Sequence, residues 1–220
     1  MNALSWVESI TAKLTAEFPN RIRFTGLQGS RARGEAHEGS DIDLVVIFDE
    51  LHADDLARCR SIIEAAPHSN LACGFIGDET TLSRWPRHEL FQFYHDTIPV
   101  FGSLPHVGEF TVRDAAKAAR IGASGIYHAA CHAYMFDGES ADEILASLFK
   151  GAFFTLQALC FARTGSYPRT RAELSGLIEG DEARILEISN DPHAHRPAND
   201  EERRGQVDLL IGWAARILAQ

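Results

Sequence analysis

Cysteine is scarce and scattered: Cys59, Cys73, Cys131 and Cys160 are the only four in 220 residues, and no two form a C-x-x-C pair. That pattern argues against a disulfide framework or a zinc ribbon and reads as free thiols in a reducing compartment. Basic residues are also short, with 21 Lys and Arg against 31 Asp and Glu, for a net charge of −10. A protein whose main task is to grip nucleic-acid phosphates carries a basic face, so no nucleic-acid partner is expected. No unbroken apolar run approaches the ~18 to 20 residues of a membrane span. The first 18 residues mix Glu8, Lys13 and Glu17 among apolar positions, which is not the pattern of a signal peptide. Internal repeats and low-complexity tracts are lacking as well. These absences predict a cytoplasmic protein with no membrane partner. What is present, 45% apolar and 24% charged residues in 24.3 kDa, is enough to bury the core of one or two compact domains.

The hydrophobic pattern divides the chain. In the first half, Leu4, Val7, Ile10, Leu14 and Phe18 recur at helical spacing over residues 3–18. Residues 21–27 alternate as a half-buried strand, and 41–48 open with two spaced acids before closing as the apolar run of a central strand. A helix is predicted over 53–65, a strand over 70–77, a helix over 87–95 and a closing strand over 98–101. From about residue 111 the pattern is wholly helical, over 111–136, 141–163, 170–179, 181–189 and 200–219. Ser140 and Glu143 stand at capping-box spacing before the second of these. The Pro- and Gly-bearing join at 102–108 separates a domain at 1–104 from a helical domain at 111–220.

Chemistry concentrates in one stretch, Gly26-Leu-Gln-Gly-Ser-Arg-Ala-Arg-Gly34 followed by Ser40-Asp-Ile-Asp-Leu44. Residues two apart in a strand point the same way, so Asp41 and Asp43 project from one face with about 7 Å between them along the chain. Two convergent carboxylates repel unless a cation lies between them, and an oxygen-only donor set suits Mg²⁺ or Mn²⁺. Eight acids between Glu35 and Asp55 point the same way. Gly29 lets the backbone come close to a ligand, Ser30 offers a hydroxyl and an N–H to phosphate oxygens, and Arg31 and Arg33 add charge that a triphosphate can use. Ser40 reads equally as a turn residue or a ligand. His128, Cys131 and His132 share one helical face at zinc-ligand spacing, but with no H-E-x-x-H pattern they read as a packed face.

Gly29-Ser30, ten intervening residues and Asp41-Ile-Asp43 resemble the signature of the DNA polymerase β-like nucleotidyltransferase superfamily. The wording is most similar to small bacterial nucleotidyltransferases, both the minimal ones paired with HEPN helical proteins and the aminoglycoside nucleotidyltransferases. The resemblance covers residues 21–48 by motif, 49–104 by element order and the helical bundle in outline. It implies an α+β nucleotidyltransferase fold, a mixed sheet flanked by helices, followed by a C-terminal helical bundle. It further implies Mg²⁺ held by Asp41 and Asp43, and a nucleoside triphosphate such as ATP gripped at Gly29, Ser30, Arg31, Arg33 and Ser40. A nucleoside monophosphate would pass to the hydroxyl of a small molecule, aminoglycoside-like, or of a protein, bound between the domains; a homodimer fits the outline. The family normally supplies a third carboxylate from a later strand, for which the nearest acid is Asp78, with Glu79 and Glu89 as substitutes. The alternative is a nucleotide-binding or antitoxin-like interaction module that kept the turn and the acid pair without turnover.

Overall fold

The computed structural model describes residues 2–220. Contacts divide the chain into two compact units, one ending at Glu109 and the other spanning Phe110–Gln220. The first runs α1 (Ala3–Glu17), β1 (Ile22–Gln28), α2 (Gly29–Arg33), β2 (Ile42–Phe48), α3 (Ala53–Glu64), β3 (Ala72–Asp78), α4 (Glu79–Ser83), α5 (Arg87–Asp96) and β4 (Ile98–Gly102). Its sheet has the order β3-β2-β1-β4; β1 is antiparallel to both β2 and β4, while β2 and β3 are parallel. The parallel pair follows from the crossover through α3, since parallel neighbours need a long connection.

Alternation along β2 sorts its residues between two layers. Ile42, Leu44, Val46 and Phe48 join Leu27, Trp6, Val7, Ile10, Leu14 and Cys59 in one buried cluster with α1 and α3. On the opposite face of the sheet Phe75 meets Trp85 and Phe93 edge-on at 5.2 and 5.1 Å. The odd-numbered residues Asp43 and Val45 belong to that second face.

Arg21 absorbs part of the acidic stretch around β2. Its guanidinium donates to Asp55 at 2.7 Å and to Asp49 at 3.3 Å, so these two acids have a protein cation as partner. The Arg21 hydrogen bonds hold the buried Asp55 carboxyl down at about 2. Because the folded value lies below the unfolded one, the stabilisation is complete above the ordinary carboxylate range and is lost as pH falls from about 4 towards 2. Thermal denaturation of Asp55→Asn is therefore expected to depend less on pH across that window than wild type; equal pH slopes would show that the pair contributes no pH-linked stability.

The second unit contains α6 (Val112–Phe136), α7 (Ala141–Thr164), α8 (Arg171–Ser175), α9 (Gly180–Asn190) and α10 (Asp200–Leu218). Buried Ala115, Ala119, Ala123, Ala130 and Ala133 give α6 a narrow face against its neighbours. By length and composition α7 is apolar enough to cross a membrane, with a mean hydropathy of 1.6 over its best 18 residues. More than half of that stretch is buried inside the unit, as expected of a core helix. The Ser140 capping box does not form: residues Gly138–Ser140 already make a 3-10 turn, so Ser140 has helical torsions and its side chain caps nothing. Capping boxes close instead at Thr111 with Asp114 and at Thr170 with Glu173. The helix expected over 170–179 is correspondingly short, ending at Ser175.

Candidate active site

The site residues follow from sheet register. Gln28 of β1 is the cross-strand partner of Asp43 on β2, and Asp43 is beside Cys73 on β3. Partners in register share a face, so Gln28, Asp43 and Cys73 form one row across three strands, on the face away from the α1–α3 cluster. Asp41 lies just before β2 and is exposed, whereas Asp43 is half-buried.

The Gly-Ser turn is built against this row. Gly29 begins α2 directly after Gln28 with φ +72°, and a Cβ added there would collide with the Asp43 carboxylate. Only glycine combines that torsion with so close an approach. The turn thus lies against the Asp43 carboxylate. Gln28 Nε2 donates to the Phe93 carbonyl at 3.1 Å and to Thr97 Oγ1, tying the end of β1 to α5.

The two arginines face inward. Arg31 Nε donates to the carbonyls of Ser40 and Asp41 at 3.1 and 3.0 Å, and Nη2 to Ser40 at 2.6 Å. The Arg33 side chain is 5% exposed and pairs with Glu35 at 3.0 Å and, at 3.6 Å, with the equally buried Asp96. Ser40 is buried in a turn where its Oγ accepts from the His37 N–H at 3.0 Å. In this structure Arg31, Arg33 and Ser40, where the pattern suggested phosphate ligands, engage carbonyls, acids and a backbone N–H of the protein. No sequence signal distinguishes the two uses, because their partners are backbone carbonyls and acids brought close only by folding.

Asp78 is not brought to the pair. It is the register partner of Phe48, at the far end of β2, five residues beyond Cys73 and hence about 16 Å along β3. There it caps α4: its carboxyl accepts from the Thr81 N–H at 2.8 Å, and that backbone hydrogen bond holds it below the usual carboxylate range. The parallel direction of β3 is the reason, since the strand's end points away from Asp43. Glu79 stands beside Arg23, and Glu89 is in the first turn of α5 beside His88.

Among the described residues no group of three or more His, Cys, Asp or Glu side chains is placed to hold a metal ion. The pair at Asp41 and Asp43 nonetheless fits Mg²⁺, which is commonly held by one or two carboxylates and completes its shell with water and substrate phosphates.

Residues 13–80 match the family described as nucleotidyltransferase domain. No curated protein matches the chain. Among solved structures, the chain is similar to spectinomycin adenyltransferase from Enterococcus faecialis, determined with ATP and spectinomycin. The identity is 14% and the TM-score 0.55, over 97% of this chain and 98% of the other. That likeness extends the shared fold into the helical unit, while the family match coincides with the turn and the acid pair. Residues 13–80 therefore match a nucleotidyltransferase domain, and the likeness in fold runs over the rest of the chain.

Proposed function

We propose that the chain transfers a nucleoside monophosphate from ATP to the hydroxyl of a small, aminoglycoside-like acceptor in the presence of Mg²⁺. The observation that carries this reading is the contact between the Gly29 turn and the Asp43 carboxylate, which supports a phosphate-binding turn beside a metal ligand. ATP and an aminoglycoside-like acceptor are supported by the ligands of the similar spectinomycin enzyme. The balance of charge adds to this, because a net −10 attracts cationic acceptors. Mg²⁺, when bound, would neutralise charge on the triphosphate and the leaving pyrophosphate. Asp41 and Asp43 would hold it, and Ser30 would orient the phosphates through its hydroxyl and N–H. The acceptor oxygen forms a bond to the α-phosphorus, the bond from that phosphorus to the bridging oxygen breaks, and pyrophosphate leaves. The hydroxyl proton would pass to solvent. The free thiols of all four cysteines support a cytoplasmic setting.

Calorimetric titration of the four nucleoside triphosphates with Mg²⁺ tests the reading. Wild type is expected to bind ATP more tightly when Mg²⁺ is present, and the Asp41→Ala, Asp43→Ala double variant to lose that gain. No binding of any triphosphate to wild type would overturn the reading in favour of a partner-binding module.

A further inference from the structure

The segment between the Gly-Ser turn and β2 has little of its own to hold it. Residues 36–39 are all exposed, and Ser40 is the first buried side chain before the strand. A loop that buries no apolar group is ordered only as far as its hydrogen bonds order it. Within the loop these are the Glu35 N–H to the Ser30 carbonyl at 2.9 Å and the turn between His37 and Ser40. The bonds reaching the residues that lead into Asp41 come from Arg31. Its guanidinium spans the carbonyls of Glu38, Ser40 and Asp41, at 3.4, 2.6 and 3.0 Å. Arg31 directly follows Ser30 in α2, so one side chain joins the phosphate turn to the backbone of the first proposed metal ligand.

We propose that Arg31 is a positioning residue that couples the nucleotide turn to Asp41, so that divalent metal and nucleoside triphosphate reinforce each other's binding through it. This rests on the reading above, in which Asp41 and Asp43 hold the metal. A planar guanidinium with several donors in a fixed fork can bridge three carbonyls of one loop. A lysine ammonium is a single point and cannot hold the same set. Without the bridge, Asp41 is held only by the His37–Ser40 turn before it and the strand that follows, and the Asp41 backbone loses its link to the Gly-Ser turn. The coupling is reciprocal by thermodynamic necessity: whatever Arg31 adds to metal affinity when nucleotide is bound, it adds equally to nucleotide affinity when metal is bound.

The test uses Mn²⁺ as probe. Free Mn²⁺ is followed by electron paramagnetic resonance, and ATP and ADP binding by calorimetry with and without metal, on the full chain and on Arg31→Gln and Arg31→Lys. Both variants are expected to weaken Mn²⁺ binding in the absence of nucleotide, and to shrink the gain in ATP affinity on adding metal by about tenfold, within the usual range of such couplings. Metal-free ATP affinity should stay within about twofold of wild type, and lysine should not rescue, because the fork rather than the charge is required. Should Mn²⁺ binding be unchanged while metal-free ATP binding falls and lysine restores it, Arg31 is a phosphate ligand and the proposal is overturned. Circular dichroism shows whether each variant is folded, and the lysine variant carries the test if the glutamine variant is not. If wild type binds no Mn²⁺, or binds it as well with Asp41 and Asp43 both replaced by alanine, the metal reading itself is wrong and the coupling falls with it.

Discussion

Asp43→Asn is expected to lower nucleotidyl transfer about 10³-fold or more, a loss of roughly 4 kcal/mol of transition-state stabilisation. The substitution keeps the shape of the side chain, so the half-buried place between Gln28 and Cys73 remains filled. What it removes is the charge that, on the proposed reading, would balance a divalent cation. A neutral amide beside a triphosphate leaves the phosphate charge unscreened, and the effect should appear in kcat as well as in the affinity for metal and ATP together. The measurement is pyrophosphate release from ATP with a panel of hydroxyl acceptors that includes spectinomycin, alongside a melting curve. A variant that melts like wild type and turns over like wild type would remove Asp43 from the metal site. Loss of both fold and activity would show instead that its charge supports the sheet.

The second large effect is expected at Gly29. Alanine there meets two separate obstacles: a left-handed torsion of +72°, and the Asp43 carboxylate in the space its Cβ would occupy. The torsion alone costs about 1 to 2 kcal/mol for a residue with a Cβ. The collision must be relieved by moving either the turn or the carboxylate, and a displacement of about 1 Å at a reacting site is enough to cost on the order of 10²-fold in rate. Gly34→Ala separates the two causes. Gly34 caps α2 with a nearly identical torsion, +73°, yet nothing lies near its Cβ position. Gly34→Ala should lose about 1 kcal/mol of stability and keep its turnover, whereas Gly29→Ala should lose both. Equal turnover in the two variants would mean that contact between the turn and Asp43 does not matter for transfer.

Where the sequence was informative, the physical reason is locality. The two-residue period of a strand is enough to assign Leu44, Val46 and Phe48 to the buried cluster and Asp43 to the other face. The turn at Gly29 is legible for a similar reason: a glycine directly before a serine, at the exit of a strand, encodes a backbone conformation within a few residues. Helices α1, α6, α7 and α10 are long, with the clearest helical period in α6, which is why their existence could be read off. The short helices α2 and α4, five residues each, contain too few turns to leave a period.

The roles of charged residues around the turn were not legible. Arg31 and Arg33 sit two residues apart in a motif that suits phosphate, and their composition is the same whether they face a ligand or the protein. Arg33 is committed to Glu35 and to Asp96, the latter more than sixty residues away in the chain. Likewise Asp49 and Asp55, which contributed to an apparent cation-binding concentration, are held by Arg21. Capping at Ser140 failed for a related reason. The spacing to Glu143 was right, but a 3-10 turn arriving from α6 had already set the torsions of the cap residue.

By itself, then, the sequence determined the sheet-and-helix first half, the helical second half, the placement of Asp43 away from the buried face of β2 and the glycine turn before it. Each depends on interactions between residues a few positions apart. Tertiary structure alone decided that β3 runs parallel to β2, which carries Asp78 to the far end of the sheet and leaves Cys73 beside Asp43. It also decided that Arg31 meets the Asp41 carbonyl and Arg33 the Asp96 carboxylate. A strand's pleat is the same in either direction, and a guanidinium takes carbonyl, carboxylate or phosphate oxygens alike, so only the packed chain could choose among them.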